Sequence, residues 1–204
     1  MYDVSKMRRD LELALTEVYR PIRDEFTRAF RDIYRGAVVP DEFDPGSAGI
    51  MKHTLTRSQD LSQLTTGAGF YLILSTFPVP DNSCALTYSA LRAIYRGECA
   101  TVQRRIQNHL FNRQYIAQYE QRRGNYERNP ENSGRTFYEQ YWPACLSLEK
   151  DVSGINIDSE PYSAHAWLVI IHPMRGSTQE IRKQAELAFD DVFGRPAASR
   201  EASR

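Results

Sequence analysis

Arg105 and His109 stand four residues apart, so on a helix they lie one turn above the other. Val102, Ile106 and Leu110 recur at the same interval and give that helix an apolar stripe on an adjoining face. A guanidinium presents a rigid fork of donors, and an imidazole exchanges its proton near neutral pH. Placed side by side after the glycine at 97, they suit an anionic ligand such as phosphate. An amphipathic helix with a solvated basic face has the same pattern, so the choice depends on what stands elsewhere in the chain.

Tyr95 and Gly97, with Arg105 and His109 after them, resemble the second half of the GIY-YIG nuclease signature. In that family a Tyr-Ile-Gly strand end is followed at this spacing by a helical arginine and, in some members, a histidine one turn later. Gly69-Phe70-Tyr71, leading into Leu72-Ile73-Leu74, resembles the first half. Glu186, ahead of Gly194-Arg195-Pro196, stands where the family has a glutamate on a late helix before a proline. The resemblance spans residues 67–199. It implies an α+β fold: a small three-stranded, mainly antiparallel sheet flanked by helices. It also implies phosphodiester hydrolysis with Mg²⁺ or Mn²⁺. Glu186 would hold the metal and Arg105 the scissile phosphate. Tyr71 would orient or deprotonate the attacking water, with His109 as its partner or as an alternative base. Tyr95 would close a hydrogen bond in the same pocket.

The chain departs from the family in four places. Arg96 replaces an aliphatic residue, and Glu98 stands where many members have lysine or another polar residue. Ala197, Ala198 and Ser199 stand where many members have an asparagine. Tyr71 and Tyr95 are 24 residues apart, about twice the usual spacing, as in some restriction endonucleases with this domain. Each assignment also has a plainer counterpart: the tyrosines as core aromatics, His109 as helix packing, Glu186 as a surface charge.

The elements expected to position these groups follow from periodicity. Residues 1–36 read as helix, with Leu11, Leu15, Val18 and Ile22 in one stripe that Phe26, Phe30 and Ile33 continue beyond a kink or split at Pro21. Arg8, Arg9, Arg20, Arg23, Arg28, Arg31 and Arg35 alternate with acids on its other face. Residues 37–50 read as a connector and 51–64 as a short helix, so residues 1–66 form an N-terminal helical arm. Residues 67–204 form the catalytic domain, with insertions at about 78–89 and 120–160. Strands are expected at 69–77, buried on both faces, at 90–96 before a turn at Gly97, and at 166–171, with one or two more in 144–158. A helix should run from about 100 to 119 or beyond.

The polar stretch 121–135 reads as a loop suited to reading DNA, or as a loop without function. Arg104, Arg113, Arg122, Arg123, Asn125, Arg128 and Arg135 are the candidate DNA contacts, and Phe137, Tyr138, Tyr141 and Trp142 follow. Ser177 and Glu180 form a capping box for a last helix that ends near 193.

Composition bounds the answer. The 204 residues are 41% apolar and 25% charged, an ordinary globular mixture. Net charge is zero, so no global field draws the chain to nucleic acid. The 22 arginines against 4 lysines suit phosphate and base edges, or reflect a GC-rich coding sequence. Cys84, Cys99 and Cys145 fit neither metal spacing nor a disulfide framework, which points to the cytoplasm. No apolar run approaches the ~20 residues of a membrane span. The expected protein is a Mg²⁺-dependent endonuclease of double-stranded DNA, most like a stand-alone type II restriction enzyme, with the N-terminal helices as a candidate dimer interface. A toxin or phage-defence nuclease of low specificity and a non-cleaving nucleic-acid-binding module are the alternatives.

Overall fold

The computed structural model describes residues 4–44, 46, 49–139, 146–148 and 154–199, without the side chains of residues 4, 5, 8, 9 and 12. Tyr141, Trp142, Cys145, the tail 200–204 and the side chains of Arg8 and Arg9 therefore lie outside the described residues. The protein is mixed helix and sheet, as expected of an α+β chain.

The central strand β2 (Gly69–Ser75) is buried along its whole length. It pairs antiparallel with β4 (Leu91–Cys99) on one side and with β5 (Trp167–Pro173) on the other. The sheet does not stop at three strands. β1 (Met51–Thr54) adds to β5, and β3 (Thr87–Tyr88) adds to β4, giving the order β1-β5-β2-β4-β3. β1 comes from the stretch expected as a short helix. Its backbone groups cover the outer edge of β5, which would otherwise be left unpaired. A 3₁₀ turn, Ser58–Gln63, follows it.

Alternation along β2 sends Phe70, Leu72 and Leu74 to one face and Tyr71 and Ile73 to the other. Helix α2 (Val102–Leu110) covers the Tyr71 face, where Val102, Ile106 and Leu110 pack with Tyr95, Val169 and Ile171. The opposite face lies under α4 (Gln179–Phe193) and the C-terminal half of α1 (Val4–Ile33). There Phe30 meets Phe70 at 5.4 Å and Phe189 at 5.9 Å between ring centroids. α1 continues through Pro21 without splitting. Its apolar stripe is packed at Phe30 but more than half exposed at Met7, Leu11, Leu15 and Val18.

The helix expected to run on from residue 100 breaks at Phe111, whose backbone leaves the helical region at φ −137°, ψ 54°. The Phe111 ring is buried, and both sides of the break are tied to one passing segment. Asn112 N–H donates to the Ile155 carbonyl at 3.1 Å, and Ile157 N–H donates to the Leu110 carbonyl at 2.9 Å. Beyond the break, α3 (Asn112–Arg128) takes in most of the stretch expected as a loop. α4 is capped by Thr178 rather than Ser177. The Thr178 hydroxyl accepts the Ile181 N–H, while the Ser177 hydroxyl donates to the Met174 carbonyl at 2.6 Å. Among the described residues, no helix is long and apolar enough to cross a membrane.

The two halves of α1 should differ in energetic weight. Phe30→Ala is expected to cost about 3–5 kcal/mol. Leu15→Ala, on the exposed half, should stay within about 0.5 kcal/mol of the wild type. Urea unfolding midpoints read both, and equal losses would mean that the N-terminal half is packed as well.

Candidate active site

Three of the expected residues converge on the α2 face of the sheet. The Tyr71 hydroxyl and His109 Nε2 are hydrogen-bonded at 2.8 Å across 38 residues of sequence. The Tyr95 ring lies against both, with its centroid 4.5 Å from that of His109 and 6.0 Å from that of Tyr71. The strand register sets this up, because Tyr71 stands opposite Gly97 and Ile73 opposite Tyr95. Arg105 is half-buried one turn before His109 on α2.

Gly97 lies within β4, not in a turn. A Cβ there would fall 2.7 Å from the Tyr71 hydroxyl oxygen and 2.9 Å from Cε1 of Tyr95. The glycine is therefore the gap through which Tyr71 reaches α2. Gly69 plays a similar part at the start of β2, where a Cβ would sit 2.6 Å from the His172 carbonyl oxygen. With His109 neutral and its proton on Nδ1, Nε2 accepts from the tyrosine and the pair can relay a proton. Tyr71 and His109 are both 0% exposed, and Tyr95, at 7%, is the outermost of the three.

Glu186 does not join them. It belongs to α4, on the other face of the sheet, and so does Arg96, which alternates with Tyr95 along β4. Arg96 donates from Nε and Nη2 to the two Asp190 carboxylate oxygens, at 3.0 and 2.7 Å. Its remaining nitrogen, Nη1, reaches Glu186 Oε1 at 3.3 Å. Asp190 thus takes the better pairing. Burial of Glu186 outweighs the attraction of Arg96, with Glu98 and Asp190 adding to the effect, and pushes its pKa up to about 7. Beside this group Arg182 donates to Glu98 at 2.8 Å.

Among the described residues, no three His, Cys, Asp or Glu side chains are grouped to hold a metal ion. The Glu186 carboxylate is held by Arg96, and burial raises its pKa to about 7. The Mg²⁺ site expected at Glu186 therefore does not fit this arrangement.

The candidate DNA contacts lie mainly on α3 rather than on a loop. Arg122 Nε donates to both Glu139 oxygens, at 3.0 and 2.8 Å, and Arg104 of α2 pairs with the same carboxylate. Arg123 donates to Glu127 at 2.8 Å, and Arg128 to Asn125 Oδ1 at 2.8 Å. Arg113 and Arg135 are exposed. The sequence reading passed over Arg96 as a partner and Glu139 altogether. An arginine inside an apolar strand, with Glu186 and Asp190 four residues apart on a later helix, is the signal that would have located the Arg96 pairing.

Two outcomes follow. Gly97→Ala should cost about 1–3 kcal/mol in urea unfolding by forcing Tyr71 aside, and should move the His109 ring resonances in NMR spectra. Glu186 binds its proton more tightly in the folded chain, at about 7 against an ordinary 4.5. Its contribution to stability is whole below the unfolded value and is lost as pH rises through 7. Between pH 5 and 8 the wild type should lose on the order of 2 kcal/mol that Glu186→Gln does not lose; parallel profiles for the two proteins would contradict this. Comparisons of the chain with protein-family models, with curated proteins and with solved structures return no significant match.

Proposed function

We propose that the chain is a nuclease that hydrolyses phosphodiester bonds of double-stranded DNA in the cytoplasm, with Tyr71, His109, Tyr95 and Arg105 as its reacting group. The observation that carries this reading is the Tyr71–His109 hydrogen bond. It joins two residues that the GIY-YIG resemblance picks out independently, with Tyr95 against both. The order of elements supports it too. An antiparallel pair β2–β4 leads into α2, a third strand β5 lies beside β2, and α4 follows. These elements follow the order that the resemblance implies, within a sheet of five strands rather than three.

In this reading Arg105 takes the scissile phosphate and balances the charge that builds on its oxygens. A water attacks phosphorus. Its proton passes to the Tyr71 oxygen as the tyrosine gives its own to His109 Nε2. The O3′ or O5′ bond to phosphorus then breaks, and the leaving oxygen takes up a proton from solvent or from the histidine. Tyr71 and His109 are both fully buried, so side chains around them have to move for the phosphate to enter. Sequence-specific restriction is the favoured use of this chemistry, and indiscriminate cleavage by a toxin or defence effector is the alternative. A non-cleaving DNA-binding module has one observation of its own: Glu186 is held by Arg96 in place of a metal.

Plasmid incubated with the protein in Mg²⁺, Mn²⁺ or EDTA separates these readings. Cleavage should fall at least about 100-fold in Tyr71→Phe, His109→Ala and Arg105→Ala, the range for losing a proton-transfer partner or a charge-stabilising donor. Discrete fragments mean restriction and a smear means low specificity. Binding without cleavage in every cation would leave only the module, and an inert wild type that also fails to bind DNA would end the reading.

A further inference from the structure

Tyr138 is the most exposed of the large apolar side chains described, at 89%, yet the residues on either side of it are fixed. The Phe137 ring packs between Tyr119 and Tyr126 of α3, with centroids 5.7 and 5.4 Å away. The Glu139 carboxylate is held by Arg122 from α3 and by Arg104 from α2. Residues 135–139 carry no helix or strand, and burial alternates along them: Phe137 and Glu139 turn in, and Tyr138 turns out. The Phe137 ring, anchored on α3, leaves the next side chain, Tyr138, turned toward solvent.

We infer that Tyr138 is a base-stacking residue, held out to receive a nucleobase that has left the DNA stack beside the scissile phosphate. The inference rests on the nuclease reading above. Location favours a base as the ligand. Glu139 ties the segment to Arg104 on α2, the helix that also carries Arg105 and His109. Arg122 and Arg104 lie within one residue's reach and supply cations for adjoining phosphates once a phosphate displaces Glu139. An aromatic face accepts every base, because each base has a π-face, and its reward is largest where the base is already unpaired. Tyrosine also keeps a hydroxyl for water at the far edge of the ring.

The test uses the full chain in EDTA with three fluorescent probes: a fully paired 30-base-pair duplex, the same duplex with one central mismatch, and an oligo(dT) strand. The wild type should bind the mismatched duplex and the single strand about tenfold more tightly than the paired duplex, as stacking on one aromatic gives. Tyr138→Ala should bring the three affinities together by weakening the first two, and Tyr138→Trp should restore the gap. Arg122→Ala should weaken all three by a similar factor and flatten their salt dependence. Equal preference for unpaired bases in wild type and Tyr138→Ala overturns the inference and leaves the nuclease reading intact. A wild type that binds none of the probes overturns both.

Discussion

A buried hydroxyl has to find a hydrogen-bond partner, and the Tyr71 hydroxyl finds His109. Much of the local architecture follows from that need. The tyrosine comes from the middle strand of the sheet, where neighbours on both sides leave little room. It reaches α2 by crossing β4 at the one place without a side chain, Gly97. α2 in turn has to present His109 at that point. Its register is set by Val102, Ile106 and Leu110 on the sheet, and its end by the break at Phe111, which the 155–157 segment holds open. A proton-relay geometry and a well-packed face are here the same set of contacts. Residue identity alone therefore does not separate catalytic from structural roles for Tyr71, and a pH–rate profile is what distinguishes them.

The reverse face of β4 obeys a different constraint. Arg96 is 3% exposed, so its charge requires carboxylates, and α4 provides Asp190 and Glu186 one turn apart. Two carboxylates around one guanidinium are one more than charge balance needs. Burial, with Glu98 and Asp190 adding to it, raises the pKa of the second, Glu186. Meanwhile the Ser199 hydroxyl accepts the Arg96 N–H at 2.8 Å, and Ala198 N–H donates to the Ile94 carbonyl at 3.1 Å. The C-terminal segment thus covers the edge of β4 that the short β3 leaves open. Tyr95 and Gly97 are flanked by a residue clamped through both its backbone and its side chain. The departures from the family pattern, Arg96 and Ser199, turn out to be partners of one another.

The sequence made the strongly periodic elements plain: the apolar run of β2, the stripe of α2, the dense strand β5 and the last helix. Each repeats a signal over several turns or pairs. What stayed hidden were features with short or conflicting signals. β1 is four residues, Met-Lys-His-Thr, with no alternation to mark it, and it exists because β5 needs an edge partner. The far end of α3 is polar, so residues 121–128 read as loop although helix was expected up to 119; Tyr115 and the ring contacts of Tyr119 and Tyr126 hold it. Gly97 was visible as a residue but not as a gap, because a strand interior and a turn both accept glycine. The meeting of Tyr71 with His109 was implied by the resemblance. The separation of Glu186 from them was not, since only the sheet's alternation, with Arg96 next to Tyr95, decides which face a later helix covers.

The arginine excess gains a different meaning once partners are assigned. Arg20, Arg23, Arg28, Arg96, Arg104, Arg122, Arg123 and Arg182 each pair with a carboxylate of the same chain. A protein of zero net charge whose cations are so engaged has little long-range pull on DNA. In the proposed nuclease, affinity would then come from exchange, in which phosphate replaces a carboxylate at a site whose geometry already fits an anion. Glu139 between Arg104 and Arg122 is such a place, because both guanidiniums come from separate helices and converge without needing the substrate to gather them. Exchange of one anion for another conserves the arginines' hydrogen bonds, so its free energy depends on what becomes of the released carboxylate. Glu139, in a segment outside regular structure, can swing into water at small cost, whereas Glu186 and Asp190, fixed on α4 under the sheet, cannot. Under the nuclease proposal, the arginines that a phosphate would reach by exchange are therefore those of α2 and α3 that meet at Glu139.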